Sequence, residues 1–310
     1  MNKAIVFGGS GFIGSHVIDA LLNSNYEVIN FDTVPYEIES EHYKNVVGSI
    51  LDQAKVSDTI YREQPQVVYN FAAIADIDEC QKKPLDTIRK NVYGNALVLQ
   101  GLVDLAEGRK LEDLPKFVFA SSLYVYSREG GFYASAKRAC EMFIRDYSKF
   151  FGMPFVIVRY GTIYGPRAGR SNSMYRLVKQ ALDTGVISYY GTGEEVREYV
   201  HVKDVARCSV EILDEKFNNE AVVIAGSYPV KAYTMVRMLH DILGEEYEIE
   251  YRREKPLQHY TVTPYAFTPD LVVKKSLGDS YDLASGLLSV VHDVYNEITD
   301  KGIGYERNRR

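Results

Sequence analysis

The stretch GGSGFIG, residues 8–14, follows the apolar run Ala4–Phe7 and runs straight into a helical pattern from about Phe12 to Asn23. A chain that passes from strand to helix through Gly8, Gly11 and Gly14 has few architectures open to it. The first glycine permits a tight turn, the second lets backbone approach a pyrophosphate, and the third lets helix and strand pack closely. Unpaired N–H groups at the helix start, where Phe12 and Ile13 stand, face the anion with the positive end of the helix dipole. The next strand, Val28–Phe31, ends at Asp32, 18 residues past Gly14. A carboxylate there accepts hydrogen bonds from a ribose diol and repels a 2′-phosphate. Thr33, Val34 and Pro35 bring no cation to receive that phosphate. The expected cofactor is NAD rather than NADP.

The alternation continues with a helix at 52–64, a strand at Val67–Phe71, a helix at 84–107, a strand at Phe117–Ala120, a helix at 133–151 and a strand at Phe155–Arg159. Such a βαβα order implies a parallel sheet covered on both faces. The fold expected is α/β, a doubly wound Rossmann sheet with a smaller C-terminal α/β substrate domain. The first domain is placed at 1–165, with chain returning at about 203–226, and the second at 166–310. After Arg159, helices are read at about 174–184, 202–215 and 232–243.

The chain has 310 residues and a net charge of −6, so no generic basic field exists to hold nucleic acid or an anionic membrane. Cys80, Cys140 and Cys208 are far apart, and no CxxC pair or histidine cluster marks a metal site or disulfide framework. No run approaches the roughly 18 apolar residues of a membrane span, and the N-terminus lacks the pattern of a signal peptide. A soluble cytoplasmic protein without metal is expected.

The segment SSLYVYSREGGFYASAK, residues 121–137, carries the chemistry. Tyr133 and Lys137 fall one helical turn apart on one face. Ser122 follows the strand at the carboxyl edge, where open α/β sheets bind ligands. A phenol titrates near ~10 when unperturbed, and a neighbouring ammonium favours its phenolate. Tyr133 is read as general base toward a sugar or alcohol hydroxyl, Ser122 as hydrogen-bond partner of the same oxygen, and Lys137 as the cation that also reaches cofactor ribose.

Seven segments in order resemble the extended short-chain dehydrogenase/reductase family, in its NAD-dependent epimerase/dehydratase branch that acts on nucleotide sugars. They are GGSGFIG, NFAA (70–73), NVYGN (91–95), YASAKRACE, RYGTIYGPR (159–167), REYVHVKDVA (197–206) and VIAGSYPV (223–230). The resemblance implies a nucleotide-sugar substrate held in a cleft between the domains. It implies a homodimer packed through helices at about 84–107 and 133–151. For the cofactor it adds Ser49, Ile50, Phe71, Ala72, Ala73 and Asn91. For the substrate it implies Tyr160, Thr162, Arg167, Asn172 and Arg197, with Arg167 and Arg197 as the cations for a pyrophosphate. His259 and Tyr260 stand where a different segment is usual.

Departures narrow the reaction. Family dehydratases carry an Asp–Glu pair right after the catalytic Ser or Thr; Leu123 and Tyr124 occupy those places. What remains is oxidation at C4 by a 4-dehydrogenase or 4-epimerase, or a 4-ketoreductase. A non-catalytic NAD-sensing protein on the same fold is the reading of another class. Ser122 and Tyr133 are only 11 residues apart, about half the usual spacing. The short SREGG loop suggests a reshaped pocket for a larger sugar, such as the heptose of GDP-heptose 4-dehydrogenases.

Overall fold

The structure, a computed structural model, describes residues 1–106, 114–252, 259–264 and 273–299. The C-terminal segment YERNRR lies outside the described residues. The chain divides into two compact units.

The first unit holds Met1–Tyr160 and Val205–Ile224. Its sheet contains β1 (Asn2–Phe7), β2 (Tyr26–Asp32), β3 (Tyr43–Val47), β4 (Val67–Asn70), β5 (Lys116–Ser122), β6 (Phe155–Tyr160) and the later strand Glu220–Ile224. A two-residue strand, Val273–Lys274, closes one edge, and the order from there is Glu220–Ile224, β6, β5, β4, β1, β2, β3. Every neighbouring pair is parallel. The α/β doubly wound architecture expected from the alternation is therefore what the chain adopts. Strand order reverses between β1 and β4, so a crevice opens at their carboxyl ends. Register fixes what meets there: Phe7 is level with Phe31 and with Asn70, and Ser122 with Tyr160.

The apolar strand residues drive this assembly. Ile5, Phe7, Ile29, Phe31, Val68, Phe117, Phe119 and Ile157 pack with Val56, Ile60, Val98, Leu102 and Ile144 of the covering helices. Each such side chain contributes about 1.5–3 kcal/mol on burial. The edge strand β3 was not read from the sequence. Its YKNVV is only partly buried, and such an edge needs no apolar run to mark it. The helical path read as 84–107 is also less regular than expected. Pro84–Thr87 and Gly94–Ala106 are α-helical, but Ile88–Tyr93 opens into a wider π-helical turn. There the Asn91 carbonyl accepts a hydrogen bond from Cys140 Sγ at 3.0 Å. Burial pushes the Cys140 thiol up to about 12, so it stays protonated and able to donate.

The helix Gly131–Phe151 is tied to the sheet by charge. Arg159 near the end of β6 donates to both carboxylate oxygens of Glu141, at 3.0 and 2.6 Å, and to the Tyr126 hydroxyl at 2.5 Å. Ser121 of β5 donates to the same carboxylate at 2.5 Å. Both charges are buried, and Glu141 lies one turn after Lys137.

The second unit holds Gly161–Asp204 and Ala225–Pro264 together with the helix Leu283–Thr299. Its helices Ser173–Thr184 and Ala232–Leu243 accompany short strand pairs. Tyr199–His201 runs parallel to Thr162–Tyr164, Glu248–Arg252 parallel to Val186–Tyr190, and Val230–Lys231 antiparallel to Val196–Arg197.

Removing one partner of a buried ion pair strands the other charge. Arg159→Met is expected to destabilise the protein by about 3–5 kcal/mol, seen as a lower urea midpoint. Adding Glu141→Leu in the same chain should recover most of the loss. A single variant as stable as wild type would show that the pair does not anchor this helix.

Candidate active site

The glycine turn closes as its spacing predicts. Gly8 sits at φ +77°, and a Cβ on it would lie 2.5 Å from the Ala72 nitrogen. A Cβ on Gly14 would lie 2.4 Å from the Gly8 carbonyl oxygen, so strand and helix meet with no room for a side chain. The helix Phe12–Asn23 starts at Gly11 without a side-chain cap, and its first turn carries no acidic residue. Its leading N–H groups and dipole are therefore suited to an anion from outside the chain.

Asp32 ends β2, and its carboxylate is held in place by the backbone. Oδ2 accepts from the Ser10 N–H at 3.1 Å, while Oδ1 accepts from the Thr33 N–H at 2.6 Å and the Thr33 hydroxyl at 3.2 Å. Sequence reasoning missed what lies behind Ser10. Asn30, buried in β2, donates to Ser10 Oγ and to Asn45 Oδ1, each at 2.9 Å. An asparagine inside an apolar strand was the available signal, because buried polar side chains need partners.

Other residues assigned to the cofactor by resemblance take structural positions around this edge. Phe71 leaves β4 and stacks on Tyr69 at 5.8 Å; Ala72 donates its N–H to Asn70 Oδ1 at 3.1 Å. Ala73 follows, half-buried. Asn91 spends its amide on the Ile74 backbone, accepting at 2.7 Å and donating at 2.9 Å, and so straps the loop after β4 to the helix. Ser49 accepts from the Leu51 N–H at 3.2 Å, and Ile50 joins the core against Gly94.

Within the first unit Lys137 lies beside Tyr133, and Ser122 ends the strand whose Ala120 carbonyl holds Lys137. Ser122 is the last residue of β5, and its hydroxyl accepts from the Tyr124 N–H at 3.3 Å. Lys137 is buried; its ammonium donates to the Ala120 carbonyl at 2.7 Å and stands 5.7 Å from the Tyr133 ring centre. Burial pushes the Lys137 ammonium below the ordinary lysine value, and Cys140, Cys80 and Glu141 partly oppose this. Tyr133 is half-buried. A phenol on one helix turn, a fixed cation beside its ring and a hydroxyl at the strand end can together move a proton to or from a bound oxygen.

The residues assigned to substrate fare differently. Tyr160 is buried, with its hydroxyl shared with Ser209 at 2.8 Å, and burial pushes that phenol up. In the second unit Asn172 caps the helix Ser173–Thr184. It accepts from the Met174 and Tyr175 N–H groups at 3.0 and 3.2 Å and donates to the Ile163 carbonyl at 2.9 Å. Those polar groups are spent inside the fold. Thr162 is half-buried, 3.4 Å from the Tyr260 hydroxyl. Arg167 adopts φ 61° and donates its backbone N–H to Asp293 at 2.9 Å. Arg197 lies 4.5 Å over the Tyr260 ring and donates to the carbonyls of Val196, Thr261 and Tyr260. His259 lies beside Tyr260 in the chain and is half-buried.

The family described as the NAD dependent epimerase/dehydratase family matches residues 4–225. The chain belongs to that family. NAD is its cofactor, and the uncapped helix start with the fixed Asp32 carboxylate fits one. Similar curated proteins include the dTDP-glucose 4,6-dehydratase of Escherichia coli, 26% identical over 78% of this chain and 77% of that protein. A putative UDP-glucose 4-epimerase of Methanocaldococcus jannaschii is 27% identical over 94% of this chain and 98% of its own length. Among solved structures, the UDP-glucose 4-epimerase of Thermotoga maritima with UDP-glucose superposes with a TM-score of 0.80 at 24% identity, covering 96% of this chain and 99% of that one. The family relatives thus handle nucleotide sugars. No helix among the described residues is long and apolar enough to cross a membrane.

Gly14→Ala must push the helix start off the Gly8 carbonyl. It is expected to weaken NAD binding tenfold or more, about 1.4 kcal/mol or above, in calorimetric titration, with far-UV circular dichroism retained. Unchanged affinity would remove the glycine turn from the cofactor site.

Proposed function

We propose that this chain is an NAD-dependent oxidoreductase acting at C4 of a nucleotide-activated sugar, as a 4-dehydrogenase or 4-epimerase. The observation that carries the reading is the buried Lys137 ammonium, fixed on the Ala120 carbonyl at the end of β5 and set beside Tyr133. Bound NAD supplies the hydride acceptor. Tyr133 removes the proton from the sugar hydroxyl. Ser122, at the strand end, hydrogen-bonds the same oxygen. Lys137 stabilises the phenolate by its charge, in an interior where a charge acts strongly. Arg197 and Arg167 are the proposed cations for a pyrophosphate.

Several relatives are 4,6-dehydratases, yet dehydration is not proposed. Elimination of water needs an added acid–base pair beyond the redox set. The two residues after Ser122 are Leu123, fully buried, and Tyr124, and neither offers a carboxyl group. The connector from Ser122 to Tyr133 is a single 3₁₀ turn, Leu123–Tyr126, followed by four residues before the helix begins. So short a wall favours a sugar larger than a hexose, and a GDP-heptose is the substrate we would try first.

A homodimer also fits this reading. Phe132, Met142, Phe143 and Phe150 stand exposed along one side of the helix Gly131–Phe151, and Leu85, Ile88 and Tyr93 are exposed on the preceding helical path. Leu85 (71%), Met142 (68%) and Phe150 (73%) are largely open in the single chain. Apolar side chains in such a row are usually covered by a partner. Phe143→Glu should lower the mass seen in analytical ultracentrifugation from dimer to monomer; a wild-type monomer at micromolar concentration refutes the dimer.

Purified protein with NAD is to be mixed with GDP-heptose, UDP-glucose, UDP-glucuronic acid and dTDP-glucose in turn. Absorbance of reduced nicotinamide that accumulates marks a dehydrogenase; isomerised sugar with no net reduction marks an epimerase. Tyr133→Phe is expected to cut turnover by ~10²–10⁴-fold while NAD affinity stays within about twofold. Turnover of wild type on hexoses alone would refute the heptose preference, and no turnover with any sugar would favour the binding-protein reading.

A further inference from the structure

The connector between Ser122 and Tyr133 is held from three sides. At its start, the Ser122 hydroxyl accepts from the Tyr124 N–H. From below, Arg138, the residue after Lys137, donates to the carbonyls of Val125 at 2.9 Å, Tyr124 at 3.3 Å and Ser127. One guanidinium thus gathers three carbonyls of the same turn, which suits its fixed fork of donors. At the far end Gly130 takes φ +88°, and a Cβ there would lie 2.6 Å from Tyr124 Cδ1. The Tyr124 ring therefore rests directly on the backbone where the helix Gly131–Phe151 begins.

The outcome of this anchoring is a contact with the proposed base. The rings of Tyr124 and Tyr133 lie 6.1 Å apart between centres and at 85°, edge to face. Lys137 attends the same Tyr133 ring through its ammonium. We propose that Tyr124 is a positioning residue of this site: its ring, seated on Gly130 and clamped through Arg138, holds the Tyr133 side chain in the orientation that Lys137 completes. The proposal rests on Tyr133 being the proton-transfer group.

Physical reasons favour the ring over the hydroxyl. A half-buried tyrosine turns about two side-chain bonds, and each group packed on its ring narrows that choice. An edge-to-face partner biases such a population by about twofold to tenfold, and a misplaced reacting group loses rate steeply. A longer connector could supply this support through a loop; here the short one delivers a single aromatic side chain.

The test uses full-length, NAD-loaded protein with 3-fluorotyrosine incorporated at position 133 alone. In the otherwise wild-type chain the fluorine resonance is expected to lie away from that of the free amino acid. Tyr124→Ala should move it toward the free value, and Tyr124→Phe should leave it in place. With any sugar of the panel above that is turned over, Tyr124→Ala should lower kcat about tenfold while KM and NAD affinity stay within twofold, and Tyr124→Phe should restore kcat. An unmoved fluorine resonance or an unchanged kcat in Tyr124→Ala overturns the proposal. So does a Tyr124→Phe variant as impaired as Tyr124→Ala, since the hydroxyl would then carry the effect. If Tyr124→Ala does not fold, Tyr124→Leu is read in the same way. Full turnover in Tyr133→Phe would instead sink the base assignment, and the fluorine shift reports on the contact independently of that result.

Discussion

The buried pair between Glu141 and Arg159 sets the geometry on which the site depends. Its two charges sit on different elements, one on the helix that carries Tyr133 and Lys137, the other near the carboxyl end of β6. Neither can leave without stranding its partner in a dry interior. Ser121 joins the same carboxylate from β5, one residue before Ser122. Helix, β5 and β6 are thereby held together around one carboxylate. Lys137, one turn along, repeats the arrangement with the Ala120 carbonyl. An ammonium in a core would be costly on its own; for Lys137 the bond to the Ala120 carbonyl offsets part of that cost.

Much of this fold was legible because its signals are local. Runs of four or five mostly apolar residues marked the central strands, and glycines marked the first β–α turn. β3 was missed because an edge strand is covered on fewer sides and needs no apolar run. The π-helical turn at Ile88–Tyr93 was missed for a different reason. Its carbonyl is satisfied by Cys140, a residue far along the chain, and no pattern in NVYGN announces that partner.

The site divides along the same line. Ser122, Tyr133, Lys137, Gly8, Gly14 and Asp32 are marked by short spacings; the structure sets Lys137 beside Tyr133, puts Ser122 at the end of β5, and packs Gly14 of the first helix on Gly8, with Asp32 at the end of β2. Residues chosen by resemblance alone are less uniform. Asn172 has both ends of its amide committed to a helix cap and a carbonyl, and Tyr160 shares its hydroxyl with Ser209. A motif preserves residue type, but the same type can be kept for support as readily as for contact. The hydrogen-bond inventory of each side chain separates the two cases, and it becomes available only when partners distant in sequence are known.

The negative chain and its anionic ligand are reconciled by this economy of donors. With a net charge of −6, long-range attraction cannot concentrate a dinucleotide or a nucleotide sugar at the surface. Local dipoles must do it. The uncapped helix start after Gly11 offers backbone N–H groups that no side chain competes for. Asp32 is tied down by Ser10 and Thr33, so its charge is held in a set direction at the end of β2. A fixed carboxylate discriminates better than a mobile one, because it cannot turn away from a second negative group. Local donors rather than net charge then decide where an anion can settle: N–H groups at a helix start suit a pyrophosphate, and a carboxylate held in one direction disfavours a further phosphate beside it.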